Sequence, residues 1–210
     1  MARFPETSKE ARNRRAAWAA AAVAALIAVA AFQIGRTTLP PASGPGSKWP
    51  LAVAEAAAAR GLAVVAVVRH AEKASGDDPS LSAAGRTRAR ALAELFDGVP
   101  VHRLIASDLR RTQETIAPLA RKKDLRIERT PSQPEAKAAS EVAQKLKELR
   151  VGEFAVVAHH SFTIAAILAE FDWKVPDPRD HDDVWLLFLD GGEAVGHLAL
   201  RVPAPEPAPR

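Results

Sequence analysis

Seven consecutive residues, Leu62–Val68 (LAVVAVV), carry no polar side chain, and Phe154–Ala158 (FAVVA) repeats the pattern further along. Both runs are far too short to cross a bilayer, and valine dominates them. A short, unbroken, β-branched run suits a strand buried on both faces. Strands of that kind belong to parallel sheets with helices packed on each side.

The segments between the two runs agree. Leu81–Phe96 has helical spacing of its apolar residues, with Ser82 placed to cap its first turn. Arg103–Ala106 reads as a short strand and Asp108–Ala120 as a helix after Ser107. Leu125–Glu128 is a further strand, Glu135–Leu149 an amphipathic helix, and Thr163–Phe171 the helix after the second apolar run. Val184–Leu189 and Val195–Arg201 flank Asp190-Gly191-Gly192, a hairpin turn signal. Strand–helix alternation predicts an α/β fold, a three-layer α/β/α sandwich around a mostly parallel sheet. It occupies residues 51–202.

The chain ends differ in character from this domain. Residues 16–34 hold no charge and only one strongly polar side chain, Gln33. As a helix they would span about 28 Å, near the ~30 Å hydrocarbon thickness. The sequence therefore predicts one N-terminal transmembrane helix ahead of the sandwich. Five Lys/Arg precede it, which keeps residues 1–15 cytoplasmic and sends the domain across the membrane. The expected location is a bacterial-type inner membrane, single pass, with the domain on the periplasmic side. Cleavage near Ala28-Val29-Ala30, releasing the domain to the periplasm, is the alternative. Residues 35–50 are rich in Pro, Gly and Ser and read as a linker, and residues 203–210 as an unpacked proline-rich tail.

Charge follows the same division. Residues 1–50 carry seven Lys/Arg and two acids, so the remaining 160 residues hold 22 basic and 23 acidic side chains. A near-neutral domain lacks the basic face that nucleic acid requires. The chain contains no Cys, which excludes disulfides, thiolate metal sites and a cysteine nucleophile.

Ligands in such sheets bind beyond the carboxyl ends of the strands, and three of those ends carry reactive side chains. The first strand runs into Arg69-His70-Ala71-Glu72-Lys73. The second leads through Ser107 to Arg110-Arg111, and the third into His159-His160-Ser161. Two guanidiniums and an imidazole beside a nucleophilic imidazole suit phosphoryl transfer, where catalysis is mostly positioning and charge stabilisation.

Four elements in order resemble the histidine phosphatase superfamily, in its short branch without cap insertions. They are Arg69-His70 after the first strand, Leu81-Ser82-x-x-Gly85, Ser107-x-Leu109-x-Arg111-x-x-x-Thr115, and His160-Ser161-x-Thr163. The resemblance spans about residues 62–200. It implies a phosphoric monoester hydrolase in which His70 is the nucleophile and forms a phosphohistidine. Arg69, Arg111 and His160 would clamp the phosphoryl oxygens. It further implies a phosphorylated small molecule or phosphoprotein as substrate, with no metal or other cofactor. Lys73 and Ser161 are candidates for substrate binding.

Three positions depart from the family pattern. His159 stands where glycine commonly precedes the second histidine, and Phe162 stands where Asn is common. The acidic proton donor of many members has Glu135 as its nearest candidate by order, with Glu72 and Asp183 behind it. Of the adjacent histidines, His160 is chosen for the site, because the following helix fixes its geometry and Ser161 can cap that helix. His159 is read as structural, and His102, His181 and His197 as ordinary surface or half-buried residues. Two other functions compete: a noncatalytic phospho-ligand receptor of the same fold, and a metal-dependent hydrolase built on His159, His160, His181, Asp182 and Asp183.

Overall fold

The computed structural model describes residues 49–202. The expected membrane segment (16–34), most of the linker and the proline-rich tail lie outside the described residues. Among the described residues no helix is long and apolar enough to cross a membrane.

Five helices and six strands form the domain. In chain order they are α1 (Trp49–Ala58), β1 (Ala63–Arg69), α2 (Ala83–Leu95), β2 (Val101–Ser107), α3 (Arg110–Lys123) and β3 (Ile127–Thr130). There follow α4 (Glu135–Lys147), β4 (Phe154–His159), α5 (Ser161–Ala169), β5 (Asp183–Asp190) and β6 (Glu193–Arg201). The sheet order is β3-β2-β4-β1-β5-β6. The first four strands in that order are mutually parallel, while β5 runs antiparallel to β1 and to β6. The expected mostly parallel sheet is present, and the two apolar runs lie side by side at its centre, with Val67 level with Val157.

Residue alternation divides the core into two layers. Val64, Ala66 and Val68 face Val53 and Ala57 of α1, Leu95 of α2, and Ile116 and Leu119 of α3. Val65 and Val67 point the other way, onto Val142 and Leu146 of α4 and Ile164 and Ile167 of α5. Each strand residue thus buries its side chain against a helix whichever way it points, which is why the runs contain no polar position.

Helix α1 corrects the sequence reading, which placed Trp49 and Pro50 in the linker and assigned no element before Leu62. The segment WPLAVAEAAA has so much alanine that no periodicity marks its buried face. Val53, Ala54 and Ala57 nonetheless pack on the sheet. Helix α3 starts at Arg110, two residues later than expected, because Ser107 and Asp108 still follow the β2–β3 ladder.

The quoted motifs acquire physical reasons here. Ser82 is the N-cap of α2 and accepts a hydrogen bond from the Gly85 amide. A Cβ on Gly85 would sit 2.0 Å from the Glu72 carbonyl oxygen, so only glycine lets α2 approach the chain just beyond β1. Thr115 accepts the Ala71 amide at 2.8 Å and donates to the Arg111 carbonyl at 2.6 Å. It thereby ties α3 to the residue after His70.

Candidate active site

The carboxyl ends of β1, β2 and β4 are neighbours, with Arg69 level with His159 and Ala106 level with Ala158. His70 and His160 each lie one residue beyond their strand, both almost wholly buried. Their ring centres are 5.5 Å apart. Because β5 runs antiparallel, its first residue is also at this end, level with the end of β1.

His70 Nδ1 lies 2.8 Å from the Ala71 carbonyl oxygen. A carbonyl can only accept, so Nδ1 carries the hydrogen and Nε2 keeps a free lone pair. Burial pushes the imidazole down to about 4, against the Ala71 hydrogen bond and with help from Arg111, Arg69 and His181. His70 is therefore neutral at pH 7, the form able to attack phosphorus.

Several polar atoms at this end of the sheet are buried without a partner among the described residues: Arg69 Nε, Arg111 Nε, His159 Nδ1, His160 Nδ1 and Thr163 Oγ1. Buried polar groups are ordinarily satisfied, and an orphaned guanidinium nitrogen is costly. The arginines are otherwise held in place. Arg69 Nη1 donates to the Arg179 carbonyl at 2.6 Å, and Arg111 Nη1 lies 3.7 Å from Asp78, which also accepts the Arg110 amide. Ser107 Oγ lies 2.7 Å from the Thr112 hydroxyl, which donates to the Leu109 carbonyl, and 2.8 Å from His160 Nε2, leaving His160 Nδ1 without a partner among the described residues. Burial first, then His159 and Arg111, push His160 down to about 2.

The family model described as the histidine phosphatase superfamily (branch 1) matches residues 65–137, from β1 into α4. Residues 65–137 are thus similar to the histidine phosphatase superfamily. The solved structures agree on the fold. The chain superposes on the protein histidine phosphatase SixA complexed with tungstate with TM-score 0.56 and 19% identity, covering 66% of this chain and 96% of that one. For a mycobacterial glucosyl-3-phosphoglycerate phosphatase the TM-score is 0.53 at 16% identity, covering 69% and 100%. For a protein described as mycobacterial hydrolase 2 it is 0.56 at 14%, covering 70% and 94%. At these identities the likeness establishes the fold. No curated protein matches the chain in sequence.

The superfamily match ends before β4, so the second histidine rests on geometry. His160 shares the field of Arg111 and Arg69 with His70. His159 is the last residue of β4, completely buried, with Nε2 3.4 Å from the Thr130 hydroxyl. Both rings lie near His70, but the arginine field singles out His160. One detail of the histidine phosphatase reading changes. Ser161 is the first residue of α5 and His160 its N-cap, with no side-chain capping bond, so Ser161 does not cap the helix as expected. Phe162 stacks on the His160 ring at 5.2 Å, which gives this departure from the family pattern a packing role.

The donor candidates scatter. Glu72 is gripped by Arg88 through both carboxylate oxygens; burial raises its pKa, yet the Arg88 hydrogen bonds outweigh that and hold it below the carboxylate range. Asp183 faces Arg201 at 3.6 Å, its pKa raised mainly by burial. Glu135 is exposed in the first turn of α4, beyond the edge strand β3. Lys73 is exposed and pairs through its backbone with Leu81. Among the described residues no three His, Asp or Glu side chains form a metal-binding group. Asp182 is held by Arg88 and Asp183 faces Arg201, so the five residues of the metal-hydrolase alternative do not assemble as ligands.

His181, expected from sequence to be an ordinary surface or half-buried residue or a ligand of the metal-hydrolase alternative, lies beside His70. Its Nδ1 is 2.6 Å from the His70 carbonyl oxygen and its ring centre 5.5 Å from that of His70. The available signal was topological: a residue two positions before an antiparallel neighbour of β1 must lie at the carboxyl end of β1.

Proposed function

We propose that this domain is a phosphomonoester or phosphohistidine hydrolase that works through a phosphohistidine on His70. The observation that carries the reading is the pair of unpartnered buried donors, Arg69 Nε and Arg111 Nε, beside a neutral imidazole with Nε2 free, with His160 Nδ1 also unpartnered. Such donors match the oxygens of a phosphoryl group, whose charge they stabilise without reorganising. His70 Nε2 attacks phosphorus and the leaving group departs; water then hydrolyses the phosphohistidine. A quenched reaction of the full-length protein should yield an acid-labile, base-stable phosphoenzyme. His70→Ala should abolish it, and chelator should leave it intact. An active His70→Ala protein overturns the mechanism. Phosphate binding without phosphoenzyme or turnover makes the domain a noncatalytic phospho-ligand receptor instead.

We also propose that residues 16–34 anchor the protein in a bacterial-type inner membrane with the domain in the periplasm. The support is the uncharged run preceded by Arg12, Arg14 and Arg15. A reporter fused after Arg210 should work only if it is one active in the periplasm. A mature chain beginning near Ala31 would replace the anchor with a cleaved signal.

A further inference from the structure

The leaving group of a phosphomonoester needs a proton; of the three carboxyls considered for that task, Glu72 is held by Arg88, Asp183 faces Arg201 and Glu135 is exposed at the start of α4. His181 instead lies beside His70. A carbonyl accepts its Nδ1 hydrogen, so the nitrogen free to titrate is Nε2. The ring is half-buried, and its segment is fastened to the site from two sides. Arg69 donates to the Arg179 carbonyl, and Arg88 joins Asp182 at 2.6 Å to Glu72. The fastening holds His181 beside the nucleophile at a fixed register.

Building on the phosphohydrolase reading, we propose that His181 exchanges the proton with the leaving group and with the attacking water. In the first step the His70 Nε2 lone pair forms the P–N bond while the P–O bond to the leaving group breaks. The leaving oxygen takes the proton from protonated His181 Nε2, and the electrons of that N–H bond stay on the imidazole. In the second step water forms a new P–O bond as the P–N bond breaks, giving its proton to the neutral His181 Nε2. The products are the alcohol and inorganic phosphate, and both imidazoles return to their starting states.

The groups around His181 set when it can carry that proton. Arg69 faces it from β1, Glu72 from the chain after β1 and Arg88 from α2, with Asp180 and Asp182 flanking it on its own segment. Burial and then Arg69 lower its pKa in the empty site. A bound phosphoryl dianion acts in the opposite direction.

The test compares an alkyl phosphate, whose leaving oxygen needs a proton, with a nitrophenyl phosphate, whose leaving group departs as the anion. The variant is His181→Asn in the full-length protein, whose amide can keep the hydrogen bond to the His70 carbonyl but has nothing at the Nε2 position. In single-turnover measurements, release of the alcohol from the alkyl phosphate should slow by roughly a hundredfold or more, the scale of losing a general acid. First-turnover release of nitrophenolate, which precedes the water step, should stay nearly unchanged, while breakdown of the phosphoenzyme slows equally for both substrates. The wild-type first-turnover rate on the alkyl substrate should fall on an alkaline limb absent from the nitrophenyl profile, a readout that needs no variant. Equal first-turnover losses on both substrates, or none, overturn the proposal, as do matching wild-type profiles. A wild-type protein that turns over neither substrate and forms no phosphoenzyme overturns the phosphohydrolase reading itself.

Discussion

Arg103 and Arg69 lie at opposite ends of the sheet and differ in how their hydrogens are used. Arg103, near the amino end of β2, donates to both oxygens of Glu128 (2.7 and 2.8 Å) and to the Lys145 carbonyl (2.6 Å). Its pKa is raised, chiefly by the Glu128 hydrogen bond. Arg69, at the carboxyl end of β1, is lowered by burial and leaves Nε without a partner among the described residues. An arginine saturated by its own protein joins elements together. One kept partly unsatisfied in a buried place is held ready for an anion that the fold itself does not supply.

The comparison breaks most visibly if the unsatisfied arginines prove dispensable. Arg111→Ala and Arg69→Ala should each lower turnover by roughly 10²–10³, as for loss of one preorganised donor to a developing charge. Their thermal melts should move little, since the contacts of Arg69 with Arg179 and of Arg111 with Asp78 are lost together with an unpartnered buried Nε. Kinetics on one aryl phosphate with parallel melts checks this. Unchanged turnover with a large loss of stability would make them structural, like Arg103.

The adjacent histidines sharpen the same contrast within a single dipeptide. His160→Ala should lower turnover by roughly a hundredfold or more. His159→Ala should keep most activity and cost about 1 kcal/mol of stability, a typical substitution. The reverse ranking, measured on one substrate, moves the site to His159.

How far these residues were legible depended on whether their signal was local. Leu62–Val68 and Phe154–Ala158 announced the central strands, because burial on both faces removes every polar residue. Arg69-His70, Gly85, Arg111 and Thr115 were legible as motifs, and the structure supplies their causes in close approach and cross-element hydrogen bonds. His181 was not legible, since only the antiparallel pairing of β5 with β1 brings it to His70. Helix α1 was hidden for another reason: alanine packs on either side of a helix, so it leaves no periodic trace.

Acid should weaken the site end of the molecule first. His70 and His159 are held near 4, mainly by burial, against about 6.5 in an unfolded chain. Between those values the unfolded chain binds more protons than the folded one, so stability falls as pH falls from about 6.5 towards 4. Melting temperature should therefore drop steadily across that window, and His159→Leu should flatten the slope. A flat profile in the wild type would mean that these imidazoles are already protonated in the fold. In the free protein His70 stays neutral down to about pH 4. Phosphoenzyme formation should accordingly persist in mild acid wherever the protein remains folded.

The smallest effect belongs to the saturated end. Arg103→Ala removes a forked ion pair whose members are only partly buried, so its cost should be within about 1 kcal/mol, with turnover unchanged. The change should also have a pH signature of its own. Hydrogen bonds from Arg103, working against burial and with help from Lys145, hold Glu128 at about 2. The pair's contribution is therefore present above the ordinary glutamate value of about 4.3 and is lost as pH falls through that value towards 2. Wild type and Arg103→Ala should differ in melting temperature near pH 6 and converge near pH 2, a window below the one assigned to the buried imidazoles. A difference that persists undiminished to pH 2 would assign it to packing of the arginine stem on β3 and α4, and the charge contrast between the two ends would then rest on Arg69 and Arg111 alone.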